Sequence, residues 1–467
     1  MHYTRASAHP ARRDGVRVRY LIIGAGPTGL GAGHRLQELG EQDFLVLERH
    51  DYMGGLAASF TDEAGFTWDV GGHVAFSHYE YYDRLLESLL GDEVLEHQRI
   101  ARVRMAGGWI PYPFQNNIRH LPEELQWECV RGLLPEHRRQ EHPGNFREWI
   151  EYVFGAGIAR LFMLPYNFKV WATPPELMAY HWIGERVSVV DLERVLQNLV
   201  LRRDDVGWGP NNTFSFPLRG GTGEIFRRLG ARLGDRVRLN SPVAHIDATS
   251  KYLRTADGLE VHYDKLLNTG PLDRLVLDLL DVPHEDLRAA ANTLEHNGVC
   301  VAGVGVQGMR EDPTCWMYFP EDNCPYYRLT NFHNYSPNNA ALPGKSRALM
   351  AETSYSGHKP EDLDAVMERT VQGLVNTDML SQGERANVMS RWEMRVDYGY
   401  PVPTLERDAA LAVLQPWLER RDIYSRGRFG GWKYEVANMD HSVMQGVEWA
   451  DRMVRGEDET TYDTPQR

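Results

Sequence analysis

The sequence predicts an α/β protein: a Rossmann-like dinucleotide-binding domain, a helical insertion domain and a mixed or antiparallel β-sheet domain. Three observations carry that prediction. The apolar run Tyr20 to Ile23 breaks into Gly24-Ala25-Gly26-Pro27-Thr28-Gly29, and a helical run, Leu30 to Leu39, follows at once. A second apolar run, Asp43 to Leu47, ends in Glu48, 19 residues after Gly29. From about 120 to 205 the apolar spacing turns helical, and strand-like runs return later in the chain. The expected division is a disordered tail at 1–17, a discontinuous dinucleotide domain at 18–98, 215–295 and 425–467, a helical domain at 120–205, and a β-sheet domain at 99–119 and 296–424.

The first unit reads as strand, tight turn, helix. Gly24 permits the turn, Gly26 lets backbone approach a pyrophosphate, Gly29 lets helix and strand pack closely, and the helix-start N–H groups face the anion. Glu48 sits where a carboxylate accepts from a ribose hydroxyl. Gly54-Gly55-Leu56 follows, a paired glycine found in many flavoproteins of the two-dinucleotide-fold type and equally an ordinary turn. Phe66, Trp68 and Val70 alternate into Gly71-Gly72-His73, where backbone can approach a flat ring; His73 itself reads as a packing or as a chemical residue.

Arg99 to Asn117 alternates like strands around a Gly107-Gly108 turn and ends in a cluster containing Tyr112, Phe114 and Gln115. Ring faces and an amide suit a planar base, and such a cluster is also ordinary core. Phe146, Trp149, Ile150 and Val153, then Ile158, Leu161 and Phe162, mark amphipathic helices. Val237 to Thr269 reads as short strands with a hairpin. Val299 to Val306, Trp316 to Phe319 and Tyr326 to Phe332 read as further strands, Asp362 to Leu380 and Arg407 to Arg420 as helices. A glycine turn at Gly427 to Gly431 precedes a final helix.

Composition narrows the function classes. Of 467 residues, 42% are apolar and 25% charged, the average of a globular protein, and the formal charge is -14. An acidic chain is a poor general partner for nucleic acid or an anionic membrane, so an anionic ligand must be held locally, by helix starts and placed arginines. Four widely spaced cysteines without C-x-x-C indicate neither a zinc site nor a disulfide framework, which makes a reducing cytoplasm the expected location. No apolar run is long enough to span a membrane, and the first 17 residues read as a tail, not a signal peptide.

At PYPFQNN, PYNFKVW, GERV, CWMYFPEDNCPYYR, DYGYPVPTLER and SRGRFGGWKYEVANMDHS the chain resembles the UDP-galactopyranose mutases, especially the eukaryotic type, from about Val18 to the final helix. That resemblance implies a flavoprotein interconverting UDP-galactopyranose and UDP-galactofuranose. In the family's mechanism N5 of reduced FAD attacks the anomeric carbon, UDP leaves, the ring opens as a flavin iminium and recloses through another hydroxyl, and UDP returns.

By the same resemblance Tyr112, Phe114, Gln115, Phe162 and Asn167 surround the uracil. Arg186 and Arg328 hold the diphosphate, joined by Tyr318, Tyr335, Tyr400 and Tyr434. Arg428, Asn211, Trp171, Trp316 and Asn438 line the sugar and flavin end, with His73 on a loop that senses the flavin's oxidation state; Arg186, Arg328, His73, Arg428 and Asn211 form the catalytic set. FAD is expected on Gly24, Gly26, Thr28, Gly29, Glu48, Gly55, Leu56, Ser59, Gly72, His73, Val243, Arg428, Asn438 and Ser442, with NADPH as its reductant. Arg186 and Asn211 fall in two segments that act as closing flaps in the family.

The likeness has departures. Gly207 stands where eukaryotic members can carry asparagine on the second flap, which implies a different contact of that flap with the substrate; the segment from Tyr335 to Ala348 is shorter than in fungal members and the chain stops soon after the last helix, so a homo-oligomer is an expectation without the fungal form. Three alternatives stay open: a mutase of another nucleotide sugar, an oxidoreductase of the amine-oxidase or desaturase kind, and a non-catalytic nucleotide-sugar sensor. Leu56, where flavin amine oxidases usually carry arginine, weighs against the second.

Overall fold

The structure is a computed structural model that describes residues 15–184, 187–207, 209, 212–281 and 284–463. Two seven-stranded sheets organise it. In the first, strand Val16–Ile23 lies between Phe44–Leu47 and Glu260–Asn268, parallel to both. Val237–Arg238 extends the parallel set beyond Phe44–Leu47, and Ile423–Ser425 pairs with the far end of Glu260–Asn268. The hairpin Tyr252–Thr255 and Val243–Asp247 adds antiparallel strands to the near end of Glu260–Asn268.

Runs such as Leu21-Ile22 and Leu266-Leu267 are buried because layers cover both faces of this sheet. On one face, helices Pro27–Glu38 and Met439–Arg455 cross at backbone contact. A Cβ at Gly446 would lie 2.0 Å from the carbonyl oxygen of Thr28, and one at Gly31 would lie 2.8 Å from that of Val443.

The second sheet runs in the order Val388–Pro401, His296–Gln307, Ser346–Tyr355, Arg328–Asn331, Trp316–Tyr318, Ala101–Met105 and Gly108–Pro111. All its pairings are antiparallel except that of Trp316–Tyr318 with Ala101–Met105. Helices Glu123–Leu133, Phe146–Ile158, Leu164–Trp171 and Leu192–Val200 form the helical layer over one end of it. Asn297 Nδ2 donates to the carbonyls of Val170 and Trp171, both at 2.9 Å, and Ser354 Oγ donates to that of Lys169. The helix Leu164–Trp171 is thereby fixed to the sheet.

Several elements depart from the sequence expectation. The first strand begins at Val16, where Arg17 pairs with Asp264 at 3.0 Å. Residues 16 and 17 therefore belong to the sheet, and 1–14 of the expected tail lie outside the described residues. Strand Ile423–Ser425 joins the first sheet two residues before the expected boundary. The glycine-rich turn expected at Gly427 to Gly431 contains a four-residue helix, Gly427–Gly430, and the helix expected at Asp362 to Leu380 is Val366–Asn376.

Candidate active site

At the end of the parallel strands, Gly24 has φ +100°, and a Cβ there would lie 2.3 Å from Thr269 Oγ1. A Cβ at Gly29 would lie 1.9 Å from the Gly24 carbonyl, so only glycine lets the helix begin this close to the strand. The helix starts at Pro27 with Gly26 as N-cap, without a side-chain cap and without an acid in its first turn, which leaves its N–H groups to an anion. Gly55, at φ +54°, would bring a Cβ within 3.4 Å of Gly26 Cα, so the second glycine turn lies directly across the first.

Glu48 is buried beneath this cradle; its carboxylate accepts from Ala25 N at 2.8 Å and His50 N at 2.9 Å. Thr28 meets Gly427, whose Cβ would lie 2.5 Å from Thr28 Oγ1. Asn438 is the N-cap of the final helix, and the backbone N–H of buried Ser442 donates to its carbonyl at 2.8 Å. Val243 opens the outer strand and pairs with Thr255. Among the other expected cofactor residues, Ser59 donates to Asp69 and accepts from Gly223 N at 2.7 Å. A cradle that side chains would fill, uncapped N–H groups and a fixed carboxylate are what a dinucleotide needs, so these residues fit FAD.

A cavity of about 730 Å³ is bounded by the second sheet, the helical layer and the segment leading into the final helix. Tyr112, Tyr166 and Tyr318 form one wall, with the Tyr318 centroid 5.0 Å from Tyr112 and 5.2 Å from Tyr166. Burial pushes all three phenols up, so they act as neutral hydroxyl donors. Phe162 lines the cavity, as do Asn167 and Trp171; the Trp171 ring contacts Tyr434 at 4.8 Å and Tyr400 at 5.8 Å. Gln115, 2% exposed, donates from Nε2 to the Ser188 carbonyl, and its own carbonyl has no protein partner among the described residues.

Arg328 reaches the cavity from the second sheet. Its guanidinium forms a two-bond fork on Glu352, Nε to Oε1 and Nη2 to Oε2, each 2.7 Å. Glu352, 2% exposed, also accepts from Tyr327 Oη at 2.8 Å and Gly72 N at 3.0 Å. Each charge holds the other against burial: the acid stays below the usual carboxylate range and the guanidinium well above its ordinary value.

Arg428 lies 5.4 Å from the Tyr400 centroid. It also borders a smaller space of about 40 Å³ with Leu56, Gly71, His73, Val299 and Gly399. His73 Nδ1 lies 3.1 Å from the Gly71 carbonyl, which can only accept, so Nδ1 carries the proton and Nε2 presents a lone pair. Burial and the neighbouring Arg428 lower its pKa to about 4, which keeps the ring neutral at physiological pH.

Three expected contact residues stand elsewhere. Phe114 is fully buried behind Phe162, stacked at 4.7 Å. Trp316 is buried beside the wall and donates from Nε1 to Tyr318 Oη at 2.6 Å. Tyr335, 1% exposed, packs against Phe214, Phe216 and Phe332 because the turn Phe332–Asn334 directs it into that aromatic cluster. Arg186 and Asn211 lie outside the described residues; Gly184 and Val187, on either side of Arg186, line the cavity. Sequence reasoning missed Arg99, Tyr166, Tyr327 and Glu352. Glu352 left a trace, as the lone acid in the buried run Ser346–Tyr355.

This geometry defines a class: a dinucleotide-dependent enzyme fold with a second cavity of nucleotide size. Residues 27–454 match the family described as flavin containing amine oxidoreductase. A crystal structure of reduced UDP-galactopyranose mutase is 43% identical, with a TM-score of 0.92 over 96% of each chain. A putative protoporphyrinogen oxidase from Exiguobacterium sp. 255-15 is 18% identical, with a TM-score of 0.72 over 94% of this chain and 99% of that one, a likeness of fold alone. Amine oxidase [flavin-containing] A of Canis lupus familiaris is 27% identical over 261 residues, 52% of this chain and 47% of that protein. The chain thus spans about half the length of the curated relatives it matches. It belongs to the flavin-containing amine oxidoreductase family and, within that family, to the UDP-galactopyranose mutases.

Proposed function

We propose that this chain is a flavin-dependent isomerase that interconverts UDP-galactopyranose and UDP-galactofuranose. One observation supports this above others: Arg328, Gln115, the tyrosine wall and Arg428 line one cavity, and Arg328 and Arg428 also border the smaller space lined by Leu56, which follows the second glycine turn. FAD, bound and reduced, would supply a nucleophilic nitrogen to the anomeric carbon and need not change its oxidation state over a full cycle. The chain's own residues bind, orient and shield.

Phe162 and Tyr112 offer ring faces to the uracil, while Asn167 and Gln115 read its edge. One amide N–H of Gln115 is held by the Ser188 carbonyl and its own carbonyl oxygen has no protein partner among the described residues, which leaves an acceptor suited to the N3–H of uracil. Arg328 takes the charge that develops as UDP departs and keeps UDP in place for its return, and the family resemblance assigns Arg186, which lies outside the described residues, to the same diphosphate. Tyr318, Tyr400 and Tyr434 donate hydroxyls to the same oxygens, and Arg428, Trp171 and Asn438 face the sugar and flavin, an end to which the family resemblance also assigns Asn211. Neutral His73 can accept a hydrogen bond beside the flavin. Phe114 and Trp316 serve by holding Phe162 and Tyr318.

The reading extends to NADPH as reductant, a cytoplasmic location, a homo-oligomer and the three-domain division given above. Dithionite-reduced, FAD-loaded protein incubated with UDP-galactofuranose is expected to yield UDP-galactopyranose by anion-exchange chromatography, with GDP and dTDP sugars unconverted. Absence of conversion with FAD bound would overturn the assignment.

A further inference from the structure

Among the described residues one group of ligating side chains has no part in that reaction scheme: His78, Asp440 and His441, with both histidines on the wall of the main cavity. We propose that these three side chains form a binding site for a divalent transition-metal ion of the zinc class. Asp440 is 1% exposed and sits in the first turn of helix Met439–Arg455. One carboxylate oxygen accepts from the His78 backbone N–H at 3.2 Å and lies 2.7 Å from His78 Nδ1; the other lies 3.0 Å from His441 Nδ1.

All three ligand atoms lie within 4.8 Å of one another. Around tetrahedral zinc with bonds of about 2.1 Å, neighbouring ligand atoms stand roughly 3.4 Å apart, so small rotations of the two rings meet the requirement. The rings are tilted at 51° with centroids 5.0 Å apart and converge on the acid instead of stacking.

Two imidazole nitrogens and one carboxylate oxygen are donors that zinc accepts, and the cavity can supply water as a fourth ligand. The backbone N–H on the carboxylate already orients it, as an outer-shell bond does in metal sites. The partial positive charge at the helix start opposes a cation, and the same carboxylate offsets it. No spacing motif could reveal the set, because His78 and Asp440 are 362 positions apart. An ion there ties the loop that follows His73 to the start of the final helix, two walls of one cavity.

The test titrates Zn²⁺ into the flavin-loaded full chain, free of any affinity tag, by calorimetry. His441→Asn keeps an amide donor for Asp440 and loses the imidazole ligand; His137→Ala, at an exposed position, is the control. One ion per chain is expected, bound about tenfold or more weakly by His441→Asn and unchanged in His137→Ala. Flavin absorbance reports folding, and if His441→Asn does not fold, His78→Gln carries the same expectation. Undiminished affinity in the folded variant, or no saturable binding by the parent chain, overturns the site.

Discussion

Arg328, proposed to hold the diphosphate, has to be aimed before a ligand arrives, and Glu352 aims it through both oxygens while also holding Tyr327 and the Gly72 backbone. Glu352→Gln keeps the shape but removes the charge and one acceptor of the fork. A partner lost from a buried ion pair costs on the order of 3 kcal/mol in stability. A mis-aimed guanidinium is expected to lower kcat/KM by roughly 100-fold, about 2.7 kcal/mol of transition-state stabilisation, with FAD still bound. Calorimetry and steady-state kinetics at matched flavin content check both; turnover within about twofold of the parent would show that Arg328 is aimed by something else. Arg328 was legible in the sequence through its aromatic block. Glu352 was not, because its partner lies 24 positions away on the neighbouring strand and nothing local marks the pairing. Gln115 was legible as an amide among rings, but its fixed orientation depends on Ser188, 73 positions on.

At the scale of elements, the helix that begins at the cradle is positioned by the last helix of the chain. At Gly446 an added Cβ would meet the Thr28 carbonyl at 2.0 Å and Ala32 N at 2.8 Å, both backbone atoms that no rotamer can clear. Gly446→Ala must therefore part the two helices, at about 1–3 kcal/mol. Because Thr28 lies in the first turn of the cradle helix, the shift also moves its uncapped N–H groups, proposed to face the cofactor's pyrophosphate. The flavin-to-protein ratio after exhaustive dialysis is expected to fall well below that of the parent, and a ratio equal to the parent's would show that the cradle does not depend on this crossing. The strand, turn and helix around Gly24 were legible because their determinants are contiguous. Gly446 passed as an ordinary residue of a final helix, since its reason lies some 400 residues upstream. The same cause explains Gly427–Gly430, expected within a glycine-rich turn and held as a short helix against Thr28, and the burial of Tyr335 in the Phe214 and Phe216 cluster.

For the whole molecule, Asp69 sits between the layers of the two sheets: its neighbour Trp68 packs against Gly303 of the second, and helix Gly223–Leu233 packs into the core of the first. Its fully buried carboxylate accepts from Ser59 Oγ and from Thr222 N at 3.2 Å, tying strand Thr67–Asp69 to the start of helix Gly223–Leu233. Burial raises its pKa from 3.8 to about 7 despite those bonds. The folded chain therefore holds a proton that the unfolded chain has released. The sign follows by linkage: this stabilising contribution is fully present below the unfolded value of 3.8 and is lost as pH rises through about 7. Glu352 and Asp440 act in the opposite sense. Their pKa values are lowered, so their contribution is present above the ordinary carboxylate range and lost in acid. Asp69→Asn keeps an acceptor for Ser59 and Thr222 and cannot ionise. Comparing the two proteins cancels the common groups and isolates Asp69. The parent's Tm is expected to fall, relative to that of Asp69→Asn, as the pH is raised from about 5.5 to about 8.5, with each pKa unit worth about 1.4 kcal/mol. Parallel Tm curves across that window would mean that the Asp69 carboxyl ionises in the folded protein as it does in the unfolded chain, and that the junction between the sheets carries no buried proton.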